Sequence, residues 1–295
     1  MKIAAIQMVS APDLATNLAT AARLIDQAAS DGAQLVSLPE YFVQIGLHET
    51  DKFQIAEEFG QGPILEMLAS KARQHDIWVA GGSIPIKTPD PAKVTNTALL
   101  FSPEGEVVAR YDKMHLFSYQ DGTRHLDEGR TMVAGTAKVT ADTPFGRVGM
   151  SICYDLRFPE LYRAMGEVDL ILVPSAFTVP TGSAHWEVLL RARAIENQCY
   201  VLAAAQGGTH ASGRQTYGHS MLVDPWGEVV ALLPEGEGVV MGDMNSERLK
   251  SVRQNLQALR HRRLNTEGVA ADRLVSVGKG FRELNGPGNR GGSNL

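Results

Sequence analysis

From its third residue onward the chain alternates short apolar runs with amphipathic stretches of helical period. That alternation restricts the fold class more than any single motif does. Strand-like runs lie at 3–8, 35–38, 77–84, 97–101, 107–111, 148–152, 170–173 and 201–205. Helical patterns lie at 17–30, 64–75, 159–165 and 185–198. In the first of these, Leu18, Ala21, Ala22, Ile25 and Ala28 form the stripe of a helix packed on a sheet, and Gly32 supplies the stop. Residues 221–231 read as a hairpin turning at Asp224-Pro225-Trp226-Gly227, and 97–110 as another around Ser102-Pro103-Glu104-Gly105. Strand–helix units mixed with hairpins predict an α/β chain whose sheets carry helices on one face and meet each other through the other.

No repeat, low-complexity linker or composition break interrupts the pattern before residue 264, so residues 1–263 are expected to form a single domain. The Gly- and Asn-rich tail, 264–295, has too little apolar content for a core of its own. It is expected to be flexible or laid across a partner subunit. A formal charge of -5 without a basic block argues against nucleic acid or an anionic membrane as the partner. No apolar run approaches bilayer-spanning length, and Met1-Lys2-Ile3 leads straight into a strand pattern without a cleavable leader. Two cysteines cannot build a disulfide framework. These features predict a soluble, cytoplasmic protein.

Cys153 lies where an apolar run, Val148-Gly149-Met150-Ser151-Ile152, gives way to helix-compatible residues, with Pro159 near a first turn. Such a place presents a thiol at a sharp strand-to-helix turn with the following N–H groups pointing the same way. Most free cysteines are small core hydrophobes, and Cys199, leading into Tyr200-Val201-Leu202-Ala203, reads as one. A catalytic thiol needs a base or a cationic setting, because at a pKa of about 8.5 little of it is ionised. His115, His185 and His219 have structured surroundings, but none is presented at a strand end. Glu40 and Lys113 are: one follows Leu35-Val36-Ser37-Leu38, the other closes the run 107–111. Strand ends are where α/β sheets gather side chains from distant segments. A lone Glu or Lys there is more often a solvated surface charge. Lys113, however, stands among Tyr111, Met114, Leu116 and Phe117, where an unpaired ammonium would be costly.

Three blocks occur in order: Leu38-Pro39-Glu40-Tyr41-Phe42, Tyr111-Asp112-Lys113-Met114-His115-Leu116-Phe117, and Cys153-Tyr154-Asp155-Leu156-Arg157-Phe158-Pro159-Glu160. Together they resemble the signatures of the nitrilase, or carbon–nitrogen hydrolase, superfamily, and the similarity runs from Ile3 to Asn245. The resemblance implies a four-layer α-β-β-α sandwich assembled as a homodimer or higher homo-oligomer. It carries the family's Glu-Lys-Cys set onto Glu40, Lys113 and Cys153. A second glutamate falls on Glu128, with Asp127 as its rival, because the segment 118–124 matches no branch residue by residue.

The chemistry implied is amide hydrolysis through a thioester on Cys153, with Glu40 as proton carrier and the Lys113 ammonium and the Tyr154 N–H holding the oxyanion. Neither a metal nor an organic cofactor is called for, and the partner is a small-molecule amide. Residues 173–196, 203–208 and 217–227 resemble the amidase branch, closest to the deaminated-glutathione amidases and next to the ω-amidases. N-carbamoyl amino acid hydrolases resemble the cysteine block but carry a second basic residue where this chain has Leu156-Arg157-Phe158. A catalytically idle scaffold is the alternative of a different class. For a carboxylate-bearing substrate, Arg157 is the expected anchor, and Phe177, Thr178 and His185 are expected at the same mouth; pairing of Arg157 with Glu160 is the structural alternative. Arg191, Arg193 and Glu196, at helical spacing, read as a structural ion-pair set.

Overall fold

The computed structural model describes residues 1–121 and 124–264. Its first half runs β1 (Lys2–Gln7), α1 (Leu14–Ser30), β2 (Leu35–Ser37), α2 (Lys52–Ile55), α3 (Pro63–His75), β3 (Trp78–Ala80), β4 (Ile84–Lys87), β5 (Val94–Phe101) and β6 (Val107–Asp112). A small ribbon follows, β7 (Ser118–Asp121) and β8 (Arg124–Asp127), then β9 (Val139–Thr143), β10 (Gly146–Met150), α4 (Pro159–Ala164), β11 (Leu170–Leu172) and α5 (Val179–Asn197). The rest is β12 (Tyr200–Ala203), β13 (Gly207–Thr209), β14 (Gln215–Tyr217), β15 (Ser220–Val223), β16 (Val229–Leu233), β17 (Gly238–Asp243) and α6 (Ser246–Asn255).

Two sheets result. One has the order β17-β1-β2-β3-β5-β4, with β6 also on β5; the other has the order β16-β15-β12-β11-β10-β9. Their centres are parallel, β1 with β2 and β3, and β10 with β11 and β12, so the carboxyl ends of both parallel sets face the same way within each sheet. Side-chain alternation decides the layering. Ile3, Ala5 and Leu35 point inward and pack with Val148, Met150, Leu170 and Leu172 of the facing sheet. Their neighbours Ala4, Ile6 and Val36 point outward, under Leu24, Ile25 and Ala28 of α1 and Leu65 and Leu68 of α3. On the far side Trp186, Leu190 and Ala194 of α5 and Tyr162 of α4 cover the second sheet. The layers are therefore α-β-β-α, as the resemblance implies.

Several boundaries differ from the sequence reading. The run 77–84 is two strands, because Gly81-Gly82-Ser83 turns the chain past Pro39; a Cβ on Gly82, at φ +57°, would stand 2.2 Å from the Pro39 carbonyl oxygen. Helix α1 begins at Leu14 because Asp13 caps it, its carboxylate accepting from Thr16 N at 2.7 Å. Helix α5 begins at Val179, not at 185, with Pro180 in its first turn, a position where a missing N–H is harmless. Strands β7, β8, β9, β13, β14 and β17 and helices α2 and α6 have no counterpart in the sequence reading. The predicted tail, from residue 265 onward, lies outside the described residues. Among the described residues no helix is long and apolar enough to cross a membrane.

Candidate active site

The carboxyl ends of the two parallel sets bring Glu40 and Cys153 together. Glu40 follows β2 through Leu38 and Pro39, and the next residue, Tyr41, has φ +56°. This turn is pinned to the Gly82 bend, where Leu38 N donates to Ala80 O at 2.9 Å and Tyr41 N to Ser83 Oγ at 3.2 Å. Cys153 opens a 3-10 turn, Cys153–Arg157, three residues past the end of β10, with φ +48°. A non-glycine residue in the left-handed region is held there by its surroundings. Here the holder is Asp155, fully buried, whose carboxylate accepts from Ile152 N at 2.9 Å, Tyr111 Oη at 2.7 Å and His115 N at 3.1 Å. The Cys153 N–H is tied to Pro174 O at 2.9 Å, and Arg193 of α5 braces the turn through Leu156 O at 2.7 Å. The expected structural set on α5 is thus partly realised: Arg193 also pairs with Glu196 at 2.8 Å, and Arg191 with Glu187 at 3.2 Å.

Lys113 follows β6 directly and is 0% exposed. Its Nζ donates to Glu40 Oε1 at 2.9 Å and to both oxygens of Glu128, at 3.0 and 2.8 Å. Glu40, 1% exposed, also accepts from Asn96 Nδ2 at 2.9 Å. Glu128 accepts from Tyr41 Oη at 2.6 Å and Phe117 N at 2.8 Å. Of the two acidic neighbours, then, Glu128 is in the cluster; Asp127 turns away and caps Gly129 N at 3.0 Å.

The charges in this cluster oppose the cost of burial. Burial alone would drive the Lys113 ammonium toward neutrality, but the carboxylates of Glu128 and Glu40 outweigh it and hold its pKa well above the ordinary lysine value. Burial likewise pushes Glu128 up, and Lys113, with the hydrogen bonds from Lys113, Tyr41 and Phe117, brings it below the usual carboxylate range. For Cys153 burial wins: with the Glu40 charge acting in the same sense, it lifts the thiol well above its ordinary value, against the pull of Lys113 and the Ala176 N–H. Both burial and the nearby Glu40 carboxylate thus favour the thiol over the thiolate in the resting site. The thiol is 7% exposed, less open than the sequence context suggested, and meets solvent through a cavity of about 20 Å³.

Arg157, Tyr154, Phe177 and Thr178 all line that cavity. The Arg157 guanidinium lies 5.4 Å from the Phe177 ring centroid and 5.7 Å from that of Tyr154. It touches His185 Nδ1 at 3.2 Å and makes no ion pair with Glu160 among the described residues. His185 itself is exposed and reaches the cavity only through Arg157. Sequence reasoning passed over Tyr41, Asn96, Tyr111, Asp155 and Arg214. The signal for Asn96 was available: it is one of three polar residues, Thr95-Asn96-Thr97, inside an otherwise apolar strand that is buried throughout. Among the described residues no group of three or more His, Cys, Asp or Glu side chains is placed to hold a metal ion.

Residues 2–254 match the profile of the carbon-nitrogen hydrolase family. The chain belongs to the carbon–nitrogen hydrolase family. This hydrolase is 44% identical over 266 residues to the deaminated glutathione amidase of Synechocystis, covering 88% of this chain and 97% of that one. Among solved structures it resembles the Caenorhabditis elegans NitFhit protein, with a TM-score of 0.83 and 43% identity, covering 89% of this chain and 65% of that longer one. It also resembles Saccharomyces cerevisiae Nit3, a member of branch 10 of the nitrilase superfamily, with a TM-score of 0.81 and 33% identity over 90% of this chain and 97% of that one. These likenesses agree with the sandwich read from the layers.

Proposed function

We propose that this hydrolase is a cysteine-dependent amidase that cleaves deaminated glutathione to 2-oxoglutarate and Cys-Gly. The observation that carries the chemistry is the buried Glu40–Lys113–Glu128 cluster set beside the Cys153 thiol, which is held in a left-handed turn. The substrate rests on the name of the Synechocystis relative and on Arg157, a cation facing the cavity that suits the carboxylate of an acyl half.

In this reading Glu40 takes the Cys153 proton as the sulfur attacks the amide carbonyl. The oxyanion is held by the Lys113 ammonium and the Tyr154 N–H. Glu40 then returns the proton to the departing nitrogen, leaving a thioester. Water deprotonated by the same carboxylate attacks the thioester, releases the acid and restores the thiol. An ammonium has three N–H donors, and in the structure Lys113 directs one to Glu40 and two to Glu128. The two-fold hold of Glu128 keeps a donor in reserve: a slight turn of that carboxylate frees one N–H for the oxyanion while the ion pair persists. Glu128 thus acts as the orienter of Lys113.

The protein is further proposed to work as a homodimer in the cytoplasm. Val188, 68% exposed, and Ile195, 48% exposed, share one face of α5, and Trp226, 57% exposed, adds to the exposed apolar surface, which a second copy would cover. Both cysteines are free, which suits a reducing compartment. The test is a side-by-side kcat/KM on deaminated glutathione and 2-oxoglutaramate, with intact-mass detection of an acyl adduct on Cys153. A higher value on 2-oxoglutaramate would make the protein an ω-amidase, preference for an N-carbamoyl amino acid would make it a carbamoyl hydrolase, and no adduct with either amide would leave a scaffold.

A further inference from the structure

We infer that Arg214 docks the terminal carboxylate of the leaving group, so that it selects amides whose departing amine is itself an acid. This rests on the substrate reading above, whose two carboxylates have different fates: one stays with the acyl half and the other leaves with the dipeptide. Arg157 accounts for the first. The cavity at Cys153, about 20 Å³, is too small to hold either half of the substrate entirely, so the acyl half and the dipeptide must both reach into neighbouring space. Two larger cavities flank it, of about 460 and 250 Å³.

Arg214 lines all three cavities. It sits in the turn of the β13–β14 hairpin, just before β14, held by His210 N donating to its carbonyl at 2.9 Å, while Tyr217 N fastens β14 to Phe177 O at 2.9 Å. Its guanidinium is under-used. Nη2 donates to Ala176 O at 3.1 Å, but Nε is buried with no acceptor among the described residues. No carboxylate lies within ion-pair distance of it among those residues either. A guanidinium has five donors, and leaving a buried one unanswered is unfavourable unless a ligand supplies the acceptor.

The charge environment selects between the two flanking cavities. In the smaller one Glu128 and Glu49 act on Lys52, and Asp127 also lines it. The larger is lined by Thr178, Pro180, Ser212, Gln215 and apolar neighbours, with Arg214 as its one charged side chain among the described residues. At about 460 Å³ it is within the range of small-ligand sites. A cationic wall with no carboxylate among its described residues favours an anion, and a planar fork suits a carboxylate.

The experiment uses the full chain and three amides: deaminated glutathione, its analogue with a carboxamide in place of the glycine carboxylate, and 2-oxoglutaramate. In the unaltered protein the acid should be favoured over the carboxamide by about 10- to 100-fold in kcat/KM, mostly through KM. Arg214→Gln should abolish that preference, and Arg214→Lys should restore part of it. Equal rates on acid and carboxamide in the unaltered protein would overturn the inference without any variant. Equal losses on all three amides in Arg214→Gln would also overturn it, making the residue a brace for Ala176. If the unaltered protein cleaves 2-oxoglutaramate but not deaminated glutathione, the substrate reading itself has failed, and the inference with it.

Discussion

Replacing Lys113 with methionine removes the cation that both Glu40 and Glu128 contact, at 2.9 and 2.8 Å, from a position 0% exposed. Methionine fills a similar volume, so the cost is electrostatic: two carboxylates are left facing each other in a buried site. Removing one partner of a buried ion pair destabilises by about 3–5 kcal/mol. In a chain of this size that lowers Tm by roughly 6–20 °C. The pH dependence should distinguish this from a packing defect. In the unaltered protein Glu128 is held below its ordinary value, so its contribution is present above the unfolded pKa and lost as pH falls through the folded one. Without Lys113, burial and mutual repulsion raise the carboxylate pair above its unfolded values. The variant is then least strained at low pH and loses stability as pH rises through the raised value. Scanning calorimetry at pH 8 and pH 5.5 should therefore show the gap between the two proteins narrowing on acidification. Adding Glu128→Gln to the variant should recover part of the stability and none of the activity. The kcat of the single variant should fall roughly a hundred- to a thousand-fold, with little change in KM, because the ammonium acts on charge that appears only in the transition state. A variant as stable as the unaltered protein at pH 8, or a gap that widens on acidification, would refute the electrostatic reading. Raised KM with unchanged kcat would make Lys113 a docking group instead.

Cys153→Ser and Cys153→Ala should abolish amide hydrolysis while the Tm changes little, whereas Cys199→Ala, 0% exposed beside β12, should keep turnover; acid released by a Cys153 variant would remove the central claim. Asp155→Ala should destabilise by about 3 kcal/mol or more, since it strands the N–H groups of Ile152 and His115 and the Tyr111 hydroxyl, and should lower kcat by loosening the nucleophile turn. Unchanged kcat in a folded Asp155→Ala protein would show that the turn holds itself. Arg157→Ala should raise KM for an amide with a carboxylate on its acyl half far more than for a neutral analogue, and equal losses on both would make Arg157 a structural residue.

The elements legible in the sequence were those with a local cause. Alternation in Ile3-Ala4-Ala5-Ile6 and the stripe along α1 reflect side-chain direction within one element, and they sufficed to predict layered sheets under helices. Glu40, Lys113 and Cys153 were legible as candidates because each follows the end of an apolar run, and strand ends are where a sheet presents side chains. What those residues do to one another was not legible. The bond from Asn96 to Glu40 spans 56 positions and that from Tyr111 to Asp155 spans 44, and no local pattern encodes contacts at such separations. The choice between Asp127 and Glu128 had to wait for the pairing of β7 with β8, which sets Ser118 opposite Asp127 and places Glu128 in the turn beyond, facing Lys113. Arg214 carried no sequence signal at all, lying in a polar hairpin of ordinary composition, and only the meeting of three cavities around it makes it a candidate. The sequence determined which residues could be presented at strand ends, because that depends on neighbours along the chain. The tertiary structure decided which of them are paired, buried and shifted in pKa, because burial and charge act through space.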